Sequence, residues 1–425
     1  MRKSELIYLF LVFIILSLIY STDFFQMPPG HQSVIYFGGT EDYILYRIRN
    51  TELNFIEDIQ TYSGFNYGVP VEPPEFTVYR SQTGFYGSIL KYIQSLFSFP
   101  PEAFLRGTRI VFSAILAAIL AGLALSIQKI YGWIASLIFA VLCACTYWLI
   151  GPSKHLIWFY FILFLPFVYS IYVYPRVVEG KLSLRKFLLG LFIIFILEFL
   201  RGYTYITCLS LSAAIPVVYH RLKHKDFKQL LSEGLLIGLV SFLAYVLVLG
   251  IHYLQLRHSF GNHPEAINFL LDKALFRIQG ESAGSISLRD LFLGWARIPF
   301  FYLPSQLTDR IPQVVKNLLP LNMIRTLYFM FGLNLTVTLL FSFRFKKNES
   351  IEESWQTRLE ELVVIAFTCA ASLLASWSWF PAKGHMIAHP HMNGIMFVIP
   401  FALTLYFYTG VLVQFLVAWH SQRIQ

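Results

Sequence analysis

The sequence predicts an all-α polytopic membrane protein of about ten transmembrane helices, with two large loops on one side, and three observations carry that reading. First, 56% of the 425 residues are hydrophobic and only 13% are charged, where a soluble chain carries about a quarter charged residues. The shortage of charge is the more telling half, because a lipid-facing surface cannot hold ionised groups cheaply. Second, apolar runs of spanning length fall near 5–21, 107–128, 131–150, 156–174, 186–200, 202–219, 230–252, 321–343, 361–379 and 393–418. Third, nearly every dense cluster of Lys and Arg between these runs falls on one side. The aromatic share of 17%, with 41 Phe and 25 Tyr, also suits lipid contact and interfacial belts.

The first run, 5–21, follows Met1-Arg2-Lys3 and precedes Thr22-Asp23-Phe24-Phe25, with no small-x-small cleavage pattern. It is therefore expected to be a retained first helix and not a signal peptide. If Arg2 and Lys3 are cytoplasmic, the cytoplasmic loops hold Lys129, then Arg176, Lys181, Arg185 and Lys186, then Arg221, Lys223, Lys225 and Lys228. Arg344, Lys346 and Lys347 follow, with Arg423 at the tail. The positive-inside rule then puts both termini in the cytoplasm. The formal net charge of +9 is accounted for by these short loops, and no nucleic acid is needed as its partner; the partner is the lipid bilayer. A bacterial inner membrane is the expected location.

The chain reads as a single transmembrane domain over 1–425, with exoplasmic loops at 22–105 and 254–320 and shorter turns at 151–155, 200–204 and 380–392. No internal repeat and no matched pair of interrupted helices is visible, unlike carriers built from inverted repeats. Cys143, Cys145, Cys208 and Cys369 all lie in apolar runs and read as small buried hydrophobes, not as a disulfide or zinc framework. The sequon Asn334-Leu335-Thr336 lies inside a span and gives no sign of glycosylation.

The first loop opens on the turn-rich Met27-Pro28-Pro29-Gly30. Thr40 is placed to cap a helix, with Glu41 and Asp42 in its first turn. Ile44, Leu45, Ile48 and Leu53 repeat at helical spacing, which predicts an amphipathic helix along the membrane. A second such helix is predicted over 84–98. Asp42 is either a helix cap or a general base held just outside the bilayer. Arg47 and Arg49 either steer phosphate or snorkel at the interface. In the second loop, Ile267, Leu270, Leu271, Leu275 and Ile278 predict a further helix.

The last exoplasmic turn holds Lys383, His385, His389 and His391 within nine residues. Such a group can recognise a lipid-linked phosphate, can hold a metal, or can be a wet interfacial loop. Lys383 favours the anion, since a neighbouring cation weakens a metal site. No cofactor is required by the pattern, although a divalent metal stays open. Lys154 and His155 in the 151–155 turn, and Arg201 beside Glu198, bring further polar groups to the same side.

The order of elements, a short first helix, a long loop with an early acidic residue and two amphipathic helices, then a multi-span bundle, resembles the GT-C class of integral membrane glycosyltransferases. The stretch Glu41-Asp42-Tyr43-Ile44-Leu45-Tyr46-Arg47-Ile48-Arg49 looks like the early motif of that class. Residues 383–393 look like the basic turn some members use near donor phosphate. The resemblance implies a polyprenyl-phosphate-linked sugar as donor and a glycan or lipid as acceptor. It also implies Asp42 as catalytic base, with Glu41 next to it, and donor phosphate met by Lys154, His155, Arg201, Lys383, His385 and His389. Tyr46, Arg47, Arg49 and His391 would position acceptor or donor. The rival readings are a lipid or small-molecule transporter or flippase, a non-catalytic membrane scaffold, and an enzyme of the O-antigen ligase or polymerase kind. The nearly charge-free spans disfavour the transporter, the clustered His, Lys and Asp the scaffold, and the early long loop the ligase.

Overall fold

The computed structural model describes residues 2–22, 59–62, 76–79, 83–97, 99–156, 159–203, 205–279, 287–296, 298, 300–301, 324–346, 353–388 and 393–424. In order, α1 is Lys3–Ser21, β1 Ile59–Tyr62 and β2 Phe76–Tyr79, α2 Phe85–Phe97, α3 Pro101–Tyr131, α4 Trp133–Cys145 and α5 Tyr147–Ser153. A 3₁₀ turn over Tyr160–Phe164 leads into α6, Leu165–Val178. Then come α7 Leu184–Arg201, α8 Ile206–Lys223, α9 Phe227–Phe260, α10 His263–Gln279 and α11 Leu288–Ala296. The chain closes with α12 Ile324–Lys346, α13 Glu353–Trp377, α14 Lys383–Ala388 and, after a π-type turn over Phe397–Ala402, α15 Leu403–Ile424.

The protein is an all-α membrane protein in its main architecture, because a chain in lipid must satisfy every backbone polar group within its own helices. Seven helices are long and apolar enough to cross a membrane, by length and composition: Lys3–Ser21, Ala103–Tyr131, Tyr160–Val178, Phe227–Phe260, Ile324–Phe345, Glu353–Ala382 and Phe397–Gln422. The other three expected spans are helices as well. The 13-residue α4 is apolar but short. Helix α7 carries Arg185, Lys186, Glu198 and Arg201, and α8 ends on Arg221 and Lys223. Local signals set the ends. Ser183 Oγ accepts from Lys186 N at 3.4 Å at the start of α7, and Asp226 Oδ1 accepts from Gln229 N at 3.1 Å at the start of α9. Helix α7 stops because Gly202 takes φ 152, a conformation closed to side chains with a Cβ.

The structure departs from the sequence expectation in three places. The expected span over 131–150 is two helices. Thr146 leaves the helical path, its hydroxyl donates to Leu142 O at 2.7 Å, and Tyr147 N donates to Phe300 O at 2.9 Å. Phe300 is fully buried, so a piece of the second large loop enters the bundle and bridges to Thr146. The first large loop also contains an antiparallel pair, β1 and β2, with Ile59 opposite Tyr79 and Tyr62 opposite Phe76. The loop borders shift too, since α3 starts at Pro101 and α9 runs to Phe260.

Side-chain pairs define the two ends of the bundle. Lys129 Nζ lies 3.1 Å from Glu5, Arg221 Nη2 2.6 Å from Glu233, and Lys223 Nζ 2.8 Å from Glu361. Trp355 Nε1 donates to Gln422 at 2.5 Å. The starts of α1, α9 and α13 thus meet the ends of α3, α8 and α15, and both chain termini lie at this end, the termini face. In the turn after α6, Lys181 pairs with Glu179 at 2.7 Å and its hydrogen bond holds that carboxyl below the usual carboxylate range. At the opposite end, the loop face, Tyr20 donates to Cys143 O at 3.1 Å, joining the ends of α1 and α4.

Two apolar clusters fill the interior. One gathers α1, α3, α4, α5, α13 and α15; the other gathers α2 and α6 through α9. Outward, α9 presents Leu231, Leu235, Leu239, Phe242 and Val246 exposed at helical spacing, the stripe expected of a helix bathed in lipid tails. Cys143, Cys208 and Cys369 are free and buried, and Cys145 is free and half-buried, as expected of small core residues.

Candidate polar site at the loop face

The site begins with two charges in an apolar run. Glu198 and Arg201 stand three residues apart on α7, so they share a face of the helix. Arg201 donates to Glu198 Oε1 from Nε at 3.1 Å and from Nη2 at 2.8 Å. The two side chains are 0% and 5% exposed. Two charges withdrawn from water cost several kcal/mol each, and close pairing offsets only part of that. The second carboxylate oxygen, Glu198 Oε2, is buried and meets no hydrogen-bond donor among the described residues. The Tyr203 hydroxyl, just past the end of α7, is likewise buried with no hydrogen-bond partner among the described residues. Buried polar atoms are nearly always satisfied, which makes this pair of open groups the chemical focus of the loop face.

Helix α2 caps this region. Thr83 Oγ1 donates to Leu200 O at 2.5 Å, Tyr86 donates to Leu197 O at 2.7 Å, and Gln255 Nε2 from the end of α9 reaches Thr83 O at 2.9 Å. The first two bonds engage carbonyls in the last turn of α7, and the third ties α9 to the residues just before α2. The Tyr203 ring lies under the Arg277 guanidinium of α10 at 5.5 Å and beside His252 at 5.7 Å. Lys91 on α2 is also buried, 5% exposed. On the other flank, Tyr205 packs on Trp379 at 5.0 Å, and Thr207 Oγ1 donates to Ser378 O at 3.0 Å. This ties the α7–α8 turn to the end of α13, from which the 3₁₀ turn Phe380–Ala382 leads straight into α14. Asn393 Nδ2 then closes the following loop onto Met386 O at 3.0 Å.

No protein family, curated protein or solved structure matches this chain.

The expected site residues sort as follows. Lys154 ends α5 half-buried and His155 beside it is buried. Leu156 and Phe159, next along the chain, join the same apolar cluster as Tyr86, Leu200 and Tyr203. Lys383 opens α14, half-buried. Arg201, expected beside Glu198 as a phosphate contact, is paired with that glutamate. Lys154, His155, Arg201 and Lys383 therefore share one end of the bundle. For His385 the backbone is helical, and its side chain lies outside the described residues, as do Asp42, Glu41, Tyr46, Arg47, Arg49, His389 and His391. Among the described residues, no three His, Cys, Asp or Glu side chains stand together to hold a metal ion. Tyr203, Lys91 and His252 were not singled out from the sequence, and Glu198 was noted beside Arg201 without a role of its own. The signal for Glu198 was there, an acid and a base three apart in an otherwise apolar helix, where an ionisable residue marks a functional position by default.

Proposed function

We propose that this chain is a multi-pass membrane glycosyltransferase. In this reading the ten helical segments all span the bilayer, both termini are cytoplasmic, and the loop face is the exoplasmic side of a bacterial inner membrane. A sugar on a polyprenyl phosphate reaches the loop face from the lipid, and a glycan or lipid hydroxyl attacks its anomeric carbon. The new carbon–oxygen bond forms as the bond to the phosphate oxygen breaks, and polyprenyl phosphate departs. Asp42 takes the acceptor proton as general base. Lys154, His155, Lys383, His385 and His389 meet the charge that grows on the leaving phosphate, and a single displacement inverts the anomeric centre. Arg201 is held by Glu198 at the same end and adds its remaining donors to that field. Tyr46, Arg47, Arg49 and His391 orient donor and acceptor.

The observation that supports this reading is the buried Glu198–Arg201 pair with its open carboxylate oxygen, set among cationic and aromatic residues at the end of the bundle that carries the long loops. The test is transfer by the purified protein in liposomes supplied with labelled polyprenyl-phosphate sugars and glycan acceptors. Wild type transfers, and Asp42→Asn loses roughly two to four orders of magnitude while keeping its elution profile and melting point. Full activity in Asp42→Asn removes the base from that position; absence of transfer with every donor overturns the enzyme reading.

A further inference from the structure

The termini face holds a cavity of about 490 Å³ between α3, α6, α8, α13 and α15, and the transfer reading gives it no part. Ile127, Phe139, Phe167, Ile171, Ile215 and Phe407 wall its depth. Pro175 of α6 and Pro216 of α8 border it. Each proline lacks a backbone donor and crowds the carbonyl four residues back, so neither helix closes evenly against its neighbour there. Protein interiors are otherwise packed to crystal density, and this volume lies in the range of small-molecule sites.

The polar groups of the lining decide what the cavity can take. Its serine and threonine hydroxyls turn back on their own helices: Ser126 Oγ donates to Gly122 O at 3.0 Å, Thr368 Oγ1 to Val364 O at 2.8 Å and Thr404 Oγ1 to Pro400 O at 2.9 Å. A water held in a cavity needs about two to four polar partners, so with those donors engaged the depth suits hydrocarbon. At the mouth, Glu361 Oε1 accepts from Tyr131 at 3.0 Å, from Tyr219 at 2.6 Å and from Lys223 at 2.8 Å. Glu179 pairs with Lys181 at 2.7 Å. His220, past the apolar run 202–219, packs on Tyr174 and Tyr219, and its burial favours the uncharged ring. Each carboxylate of the lining thus has its own lysine. A phosphate brought to this mouth would face two carboxylates and an ammonium that already serves one of them, and a cationic head would compete with Lys223 and Lys181. An uncharged head meets neither conflict.

We infer that this cavity binds an uncharged single-chain lipid, its hydrocarbon chain lying between α3, α6 and α8 and its hydroxyl head at the mouth beside Glu361 and His224. A hydroxyl both donates and accepts, so it is served by a rim of carboxylate, phenol and imidazole without bringing a charge of its own. The site is at the other end of the bundle from Glu198, Arg201 and Lys383. It is therefore separate from the transfer site and does not rest on the transfer reading.

The experiment measures the melting point of the full chain in an uncharged detergent with a monoacylglycerol, with lysophosphatidic acid and an alkylamine of the same chain length, and with glycerol. A ligand that binds only the folded state raises the melting point with concentration. The monoacylglycerol is expected to stabilise, the two charged lipids to bind about tenfold more weakly, and glycerol to have no effect. Ile171→Trp fills the slot and is expected to weaken monoacylglycerol binding by about tenfold or more. Phe167→Leu deepens the slot and is expected to shift the best ligand toward longer chains, which tests the site even if Ile171→Trp fails to fold. A charged lipid that binds as tightly as the monoacylglycerol overturns the proposal. So does a folded Ile171→Trp that binds as wild type does, a Phe167→Leu with unchanged chain-length order, or a wild-type melting point that no monoacylglycerol moves.

Discussion

Arg201 donates to a single oxygen of Glu198 twice over, at 3.1 and 2.8 Å, and leaves the other oxygen of that buried carboxylate without a donor among the described residues. A pair built only for stability would gain from satisfying both oxygens, since a half-satisfied buried network is worse than an apolar one. One acceptor of the pair thus stays open to a further donor.

Removing one member of this pair tests it. Arg201→Ala leaves Glu198 buried and unpaired and is expected to cost about 3–5 kcal/mol, read as a large fall in melting point in detergent. The double variant Glu198→Gln, Arg201→Met recovers most of that loss, because it removes both charges. If the pair serves transfer as well as folding, the double variant regains the melting point and stays poorly active in the liposome assay. Recovery of both properties assigns the pair to stability alone.

Close helix packing makes a second prediction. A Cβ built on Gly410 of α15 would stand 2.4 Å from the backbone oxygen of Ala135 on α4, and small residues are what let helices approach so closely in membranes. Gly410→Ala is expected to destabilise by about 1–3 kcal/mol. Gly238→Ala on α9 meets nothing within 4 Å and is expected to be neutral or stabilising by up to about 1 kcal/mol. The two melting points, measured side by side, separate contact from propensity.

At the termini face, Glu233 is 5% exposed and accepts from Arg221 at 2.9 and 2.6 Å and from the Tyr174 hydroxyl. Glu233→Ala leaves the Arg221 guanidinium with only the more distant Asp226 carboxylate, 4.0 Å away, and is expected to lower stability by about 3 kcal/mol. Lys181→Ala breaks the exposed Lys181–Glu179 pair, in which the lysine side chain is 72% exposed, and is expected to leave the melting point unchanged. Thermal unfolding of both variants checks the contrast.

The two faces can be told apart chemically. In a background with all four cysteines replaced by alanine, Ser95→Cys on α2 and Lys181→Cys in the turn after α6 both place an exposed thiol. A membrane-impermeant maleimide added to sealed, right-side-out vesicles is expected to label the first and spare the second. Labelling of both from one side removes the proposed topology.

Part of this architecture was legible in the chain before any coordinates. Each of the ten apolar runs holds helix, although 131–150 is broken in two, and the helix expected over 84–98 appears as Phe85–Phe97, because hydrophobic length and helical spacing are local properties. The break at Thr146 was not legible. It depends on Phe300, more than 150 residues away, presenting a carbonyl to Tyr147 N. The β1–β2 pair escaped for a similar reason, since a short ladder between 59–62 and 76–79 is a matter of pairing partner and not of composition.

For the candidate site the division is the same. Lys154, His155, Arg201 and Lys383 could be picked out as polar groups at the ends of apolar runs, and alternation of the spans was enough to put them on one face. Composition and periodicity thus determined by themselves that this is a helical membrane protein, because the cost of exposing backbone and charge to lipid falls on each residue separately. Only the tertiary structure decided that Arg201 is bound to Glu198 with one carboxylate oxygen left open. It alone decided that Tyr205 packs on Trp379 and that prolines of two helices border one cavity at the far face. Those facts rest on which distant surfaces meet, and contact between residues far apart in the chain is not written in either neighbourhood alone.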